Sequence, residues 1–115
     1  MIDWDRVNDL RSEIGADDFD EVVTLFLEET DEVIARISVL SGAKLLEADL
    51  HSLKGAALNL GFEKFAALCQ DGERRAAAGS TDVDLDQVRQ IYAASKQSFE
   101  TTIASFMQDA AARSA

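Results

Sequence analysis

Apolar residues recur along this chain at intervals of three and four, the period of helices with one buried face. No stretch alternates with a period of two over strand length, so the pattern predicts no strands. Trp4, Val7, Leu10 and Ile14 form a short first stripe, which predicts a helix from Trp4 to about Glu13 with Gly15 as its stop. Asp17 or Asp18 then offers an N-cap and an acidic first turn for a helix reaching about Leu40. Its stripe is Phe19, Val22, Val23, Phe26, Leu27, Val33, Ile34, Ile37 and Leu40, with Glu28, Glu29, Asp31, Glu32 and Arg36 on the opposite face. A third helix is predicted over Ala43–Leu60. A fourth runs over about Phe62–Ala78, with Phe62, Phe65, Leu68, Cys69 and Gly72 inward. The last runs over about Leu85–Arg113, where Leu85, Val88, Ile91, Tyr92, Ser95, Phe99, Ile103 and Phe106 hold the period. The connections are short, at Gly15, Gly42, Gly61 and Gly79 with the polar stretch Ser80 to Asp84. Four long amphipathic helices with short joins predict an all-α, antiparallel four-helix bundle with a short extra N-terminal helix. Leu46, Leu50, Leu53, Phe65, Leu68 and Phe99 are expected in its core.

Composition narrows the function classes. The 115 residues suit one domain, and 47% of them are hydrophobic, enough for one core. The absence of Pro fits uninterrupted helices. With 22 acidic against 11 basic residues the net charge is -11, which disfavours nucleic acid and anionic membranes as partners. One Cys gives no disulfide framework. The segment MIDWDRVNDL lacks the basic and then apolar layout of a signal peptide, and no apolar run is long enough to span a bilayer. The expectation is a soluble, cytoplasmic monomer.

The third helix carries the candidate chemistry. Leu46, Leu50, Leu53, Ala57 and Leu60 form a narrow seam with the spacing of a bundle core. On a wheel of about 100° per residue, His51 lies roughly 140° from that seam, so it points toward solvent or the flank of the bundle. Lys54 and Gly55 neighbour it at i+3 and i+4. Leu58 follows one turn further along. A neutral imidazole is a good nucleophile near pH 7, because unperturbed histidine titrates at about 6.5. An ammonium beside it can steady an arriving phosphoryl group. A missing side chain at Gly55 clears space for a partner's active site, and Leu58 offers that partner an apolar foothold. Each residue also has a plain reading. A surface His or Lys is usually only solvated, a mid-helix Gly more often permits helix packing, and an exposed Leu needs no explanation. Their placement on one face of a chain with a single His favours the functional reading.

The stretch His51-Ser52-Leu53-Lys54-Gly55-Ala56-Ala57-Leu58-Asn59-Leu60-Gly61-Phe62 resembles the motif of histidine phosphotransfer (HPt) domains, H-x-L-K-G-x-x-x-x-x-G. Phe65-Ala66-Ala67-Leu68-Cys69 resembles the family's following helix, and Phe26-Leu27-Glu28-Glu29-Thr30 its second-helix pattern. The resemblance implies a single HPt domain over residues 1–115 that works in two-component phosphorelays. It implies that His51 is phosphorylated, on Nε2. Lys54 would stabilise the phosphoryl group or contact the partner, Gly55 would admit a receiver domain, and Gly61 would form the turn between the central helices. The implied partners are response-regulator receiver domains and a sensor histidine kinase carrying such a receiver. The implied protein is a phosphoryl carrier with no ATP site and no cofactor. Mg²⁺ and the acceptor aspartate would belong to the receiver. Two positions depart from the family pattern. Gly72 stands where Leu is frequent, and is expected to loosen the fourth helix. Glu73 follows it and is expected at the docking face, where it can accept a hydrogen bond from the imidazole.

Other classes find little support. There is no phosphate loop, no Ser or Cys paired with a base, and no second His. His51 and Cys69 alone are no metal-ligand pattern, and Cys69 suits a small core residue. The acidic runs lack calcium-loop spacing. The remaining alternatives are a helical docking module that binds a receiver or kinase domain without moving phosphate, and the phosphorylation domain of a chemotaxis-type kinase.

Overall fold

A computed structural model describes the backbone of residues 1–114 and the side chains as far as residue 105. The expected core position Phe106 lies outside the described side chains. The helices are α1 (Trp4–Ile14), α2 (Ala16–Arg36), α3 (Ala43–Leu60), α4 (Glu63–Ala77) and α5 (Leu85–Ser114), with a 3₁₀ turn at Val39–Ser41. Helices α2 to α5 form the bundle and α1 lies against α2 and α3. The one extended pairing among the described residues is an isolated bridge between Ile2 and Phe62. No helix among the described residues is long and apolar enough to cross a membrane.

Helix α3 is the centre of the assembly. Its seam residues Leu46, Leu50, Leu53, Ala57 and Leu60 are all buried, together with Phe62, Phe65, Cys69, Val88 and Phe99. Trp4 of α1 stacks on Phe99 with ring centroids 5.7 Å apart, which ties the N-terminal helix to α5. Helices α2 and α5 are held together by polar contacts. Tyr92 and Lys96 both donate to the Asp31 carboxylate, and Arg89 donates to the Ile37 carbonyl at 2.7 Å.

The turn from α3 to α4 requires Gly61. Its φ of +73° is the left-handed region, and a Cβ there would lie 2.5 Å from the Asp3 carbonyl oxygen. In return the Asp3 amide donates to the Gly61 carbonyl at 2.7 Å, so the N-terminal segment straps this turn.

Several expectations need correction. Helix α2 ends at Arg36, not near Leu40, because Ile37 turns extended to bury its side chain and offer its carbonyl to Arg89. Ser38 then caps the 3₁₀ turn, and Leu40 is exposed. Asp17 and Asp18 sit inside the first turn of α2, with Gly15 in the cap position. Asp31 faces α5 rather than solvent alone. Leu68 is half-buried at the edge of the core. Gly72 does not loosen α4. It is buried, and a Cβ there would come within 2.9 Å of Leu50 Cδ1 and 3.2 Å of Val83 Cγ1. The missing side chain is a notch filled by Leu50, and it lets α4 approach α3 closely.

Candidate functional site

The short turn at Gly61 and Phe62 folds α4 back along α3, and the two helices pair over most of their length. His51 precedes Phe62 by eleven residues and Glu73 follows it by eleven, so the hairpin brings them face to face. The close approach at Leu50 and Gly72 acts on the residues immediately after each of them. His51 Nδ1 and Glu73 Oε1 are 2.7 Å apart. Lys54 Nζ lies 2.7 Å from the other oxygen of the same carboxylate, as a charge contact poorly aligned for a directed hydrogen bond. Glu73 therefore bridges the imidazole and the ammonium. The His51 side chain is 69% exposed, whereas Lys54 and Glu73 are 24% and 20% exposed. Lys54 is thus more sheltered than its place on the outer face of α3 suggested.

The Lys54 ammonium holds the Glu73 carboxyl below the usual carboxylate range, with His51 adding to it and partial burial opposing. An ionised carboxylate can only accept a hydrogen bond, so in the neutral imidazole Nδ1 carries the proton. Nε2 then holds the lone pair, and it has no hydrogen-bond partner among the described residues. The geometry thus supplies a nucleophilic nitrogen, oriented by a carboxylate, with a cation one helical turn away. The sequence places Glu73 at the docking face and allows it this hydrogen bond. Its simultaneous hold on Lys54 is not legible there, because nothing local in the sequence pairs positions 54 and 73.

Gly55 is exposed, and a Cβ built on it meets no atom within 4 Å. Close helix packing therefore gives no reason for this glycine, which leaves open space beside His51. Leu58 is 56% exposed on the same face. Cys69 is buried, and that burial, with the Glu73 charge, pushes its thiol up to about 12. It remains a protonated core residue. No group of three or more His, Cys, Asp or Glu among the described residues is placed to hold a metal ion. The structure also shows three residues that sequence reasoning missed. Asp49 is buried on α3 and paired with Arg36 at 2.8 Å, and Arg6 and Asn59 are joined by a hydrogen bond.

The Glu73 interactions predict a pH dependence. A carboxyl whose folded pKa is depressed adds stability above its unfolded pKa of about 4.3, and loses it as the pH falls through the folded value. The difference in unfolding free energy between the wild type and Glu73→Gln should therefore be constant at neutral pH and close below about pH 4. Denaturant titrations of both proteins across pH 3–7 check this. A difference that stays constant to the lowest pH would show that the carboxylate is not held by its neighbours.

The model of the Hpt domain matches residues 21–98, a stretch that includes all of α3, α4 and the His51 site but none of α1. Comparison with curated proteins and with solved structures returned no match. Hpt domains serve histidine phosphotransfer in two-component signalling and are phosphoryl carriers, not kinases. The chain belongs to the Hpt domain family.

Proposed function

We propose that His51 is the phosphoryl-accepting residue, and that the chain exchanges this group with the aspartate of a response-regulator receiver domain. The observation that carries the reading is the exposed imidazole fixed through Nδ1 by Glu73, which turns the nucleophilic Nε2 outward. In the forward step the Nε2 lone pair forms the N–P bond while the P–O bond of the aspartyl phosphate breaks and the aspartate leaves as carboxylate. No proton leaves Nε2, because it carries none. Nδ1–H stays on Glu73, where its hydrogen bond stabilises the positive charge that the ring gains as the bond forms. Lys54 exchanges its contact with Glu73 for a phosphoryl oxygen. Mg²⁺ in this step resides on the receiver. The phosphoryl group reaches such a carrier from a sensor histidine kinase that bears a receiver. The carrier works as a cytoplasmic monomer, and its acidic surface makes no use of nucleic acid or membrane.

Incubating the protein with a phosphorylated receiver tests this reading. Acid-labile label should appear on the protein as the receiver loses it. Complex formation without label transfer would instead identify a docking module.

Two further outcomes belong to the same site. Lys54→Ala should slow transfer while shifting thermal unfolding little, since partly exposed ion pairs contribute about 0–1 kcal/mol. Equal transfer rates in the two proteins would demote Lys54 to a bystander. Gly55→Gln places a side chain in the open space beside His51. It should keep the melting temperature or raise it, since Gly costs a helix about 1 kcal/mol relative to Ala. Transfer and docking should both weaken, because an in-line reaction depends on positioning. Unchanged transfer would remove Gly55 from the account.

A further inference from the structure

The residues that face a partner beside His51 are held from an unexpected direction. Arg6 of α1 reaches the C-terminal half of α3 with two donors. Its Nε donates to the Leu58 carbonyl at 3.3 Å and its Nη2 donates to Asn59 Oδ1 at 3.0 Å. Asn59 in turn donates from Nδ2 to the Gly55 carbonyl at 3.2 Å. The direction of each bond is chemically forced, because a guanidinium has no acceptor and a backbone carbonyl has no donor. The chain Arg6–Asn59–Gly55 thus braces the one turn of α3 that carries both the open space at Gly55 and the exposed Leu58. The turn needs a brace, since a mid-helix glycine has no side chain to shield its backbone from water. Arg6 is in turn held at its own end, where α1 is capped by Asp3 and strapped to Gly61.

We propose that Arg6 is a positioning residue for the docking surface next to His51, acting through Asn59 on the turn from Gly55 to Leu58. The inference rests on the phosphotransfer reading. It makes α1, which lies outside the matched 21–98 stretch, a working part of the site rather than an appendage. Arg6 does not touch the reacting atoms, so its loss should weaken recognition of the receiver and spare the chemical step. Lys cannot replace it, because a single ammonium cannot make both bonds in that geometry.

The test uses the full chain with Arg6→Ala, Arg6→Lys, Asn59→Ala and the double Arg6→Ala/Asn59→Ala variant. Glu13→Gln is the control, since it removes the charge of the other side-chain partner of Arg6 without touching the relay. Amide hydrogen exchange over residues 55–62 is measured together with KM and kcat for transfer from a receiver domain charged with acetyl phosphate. Each single relay variant should speed exchange in this turn and raise KM by about five- to tenfold, with kcat within about twofold, and the double variant should be no worse than the worse single one. Glu13→Gln should match the wild type. If Arg6→Ala does not fold, Asn59→Ala, at a partly exposed position, still decides the matter. Unchanged KM in the relay variants, additive losses in the double variant, or full rescue by Lys would overturn the proposal. A wild-type protein that accepts no phosphoryl group would overturn the transfer reading itself and the docking role with it. Transfer by the wild type with an unaltered KM in Arg6→Ala would overturn the relay alone.

Discussion

Replacing His51 with Gln is expected to reduce phosphoryl transfer from a charged receiver to background while leaving the bundle folded. The two halves of that expectation have separate causes. Transfer fails because Gln has an amide where the imidazole presents a lone pair, and no other residue near it can take the role. Cys69 is buried and stays protonated, and the chain contains no second His. Folding survives because the side chain is 69% exposed and contributes no apolar burial to the core. Changes at such surface positions usually stay within about 0.5 kcal/mol. Glu73 keeps its contact with Lys54 in the variant, so its carboxylate is not stranded. The measurement is acid-labile label on wild-type and variant protein after equal exposure to the same charged receiver, with circular dichroism on both. Undiminished label on the variant would place the phosphoryl group elsewhere.

Truncating Leu50 to Ala should cost about 2–5 kcal/mol of stability. Leu50 is fully buried, and its methyl groups fill the notch left by Gly72. The site is badly placed to collapse around a cavity. Gly72 has no side chain to move into the gap, and the helix backbones on both sides are held by their own hydrogen bonds. The cost should therefore fall in the upper part of the range, since it grows with the residual cavity. A functional consequence follows from position. Leu50 and Gly72 immediately precede His51 and Glu73, so a shift of α4 into the gap would disturb the 2.7 Å contact between them. Urea midpoints of the two proteins measure the stability, and their transfer rates measure the disturbance. A midpoint equal to that of the wild type would mean that the seam of α3 is not the core.

What could be read from the residues in order was the part governed by local rules. Helix α3 was legible from Ala43 to Leu60 because glycines punctuate both ends and one seam runs between them. The outward direction of His51, and the neighbours Lys54 and Gly55, followed from helical periodicity alone. The resemblance over His51 to Phe62 then supplied a role for them. Three kinds of feature were not legible. The first is a pattern that continues past its element. The stripe of α2 runs on through Ile37 and Leu40, yet Ile37 is extended with its carbonyl bonded to Arg89 on α5, and Leu40 is exposed, so the helix stops one turn short of the stripe's end. The second is polar pairing between distant segments. Asp31 to Lys96, Arg36 to Asp49 and Arg6 to Asn59 each join helices whose relative placement no periodicity specifies. The third is the meaning of a glycine. Gly55 and Gly72 both sit inside helices, but one faces open space and the other a packed leucine. Only the packing around them tells the two apart.

In the proposed mechanism Glu73 fixes the imidazole through Nδ1 so that Nε2 of His51 takes the phosphoryl group. Nitrogen-15 NMR of the histidine ring in protein charged by a phosphorylated receiver tests this most directly. Phosphorus coupling at Nε2 and a retained proton on Nδ1 are expected. Phosphorus on Nδ1, or an unmodified His51 ring in fully charged protein, would contradict it.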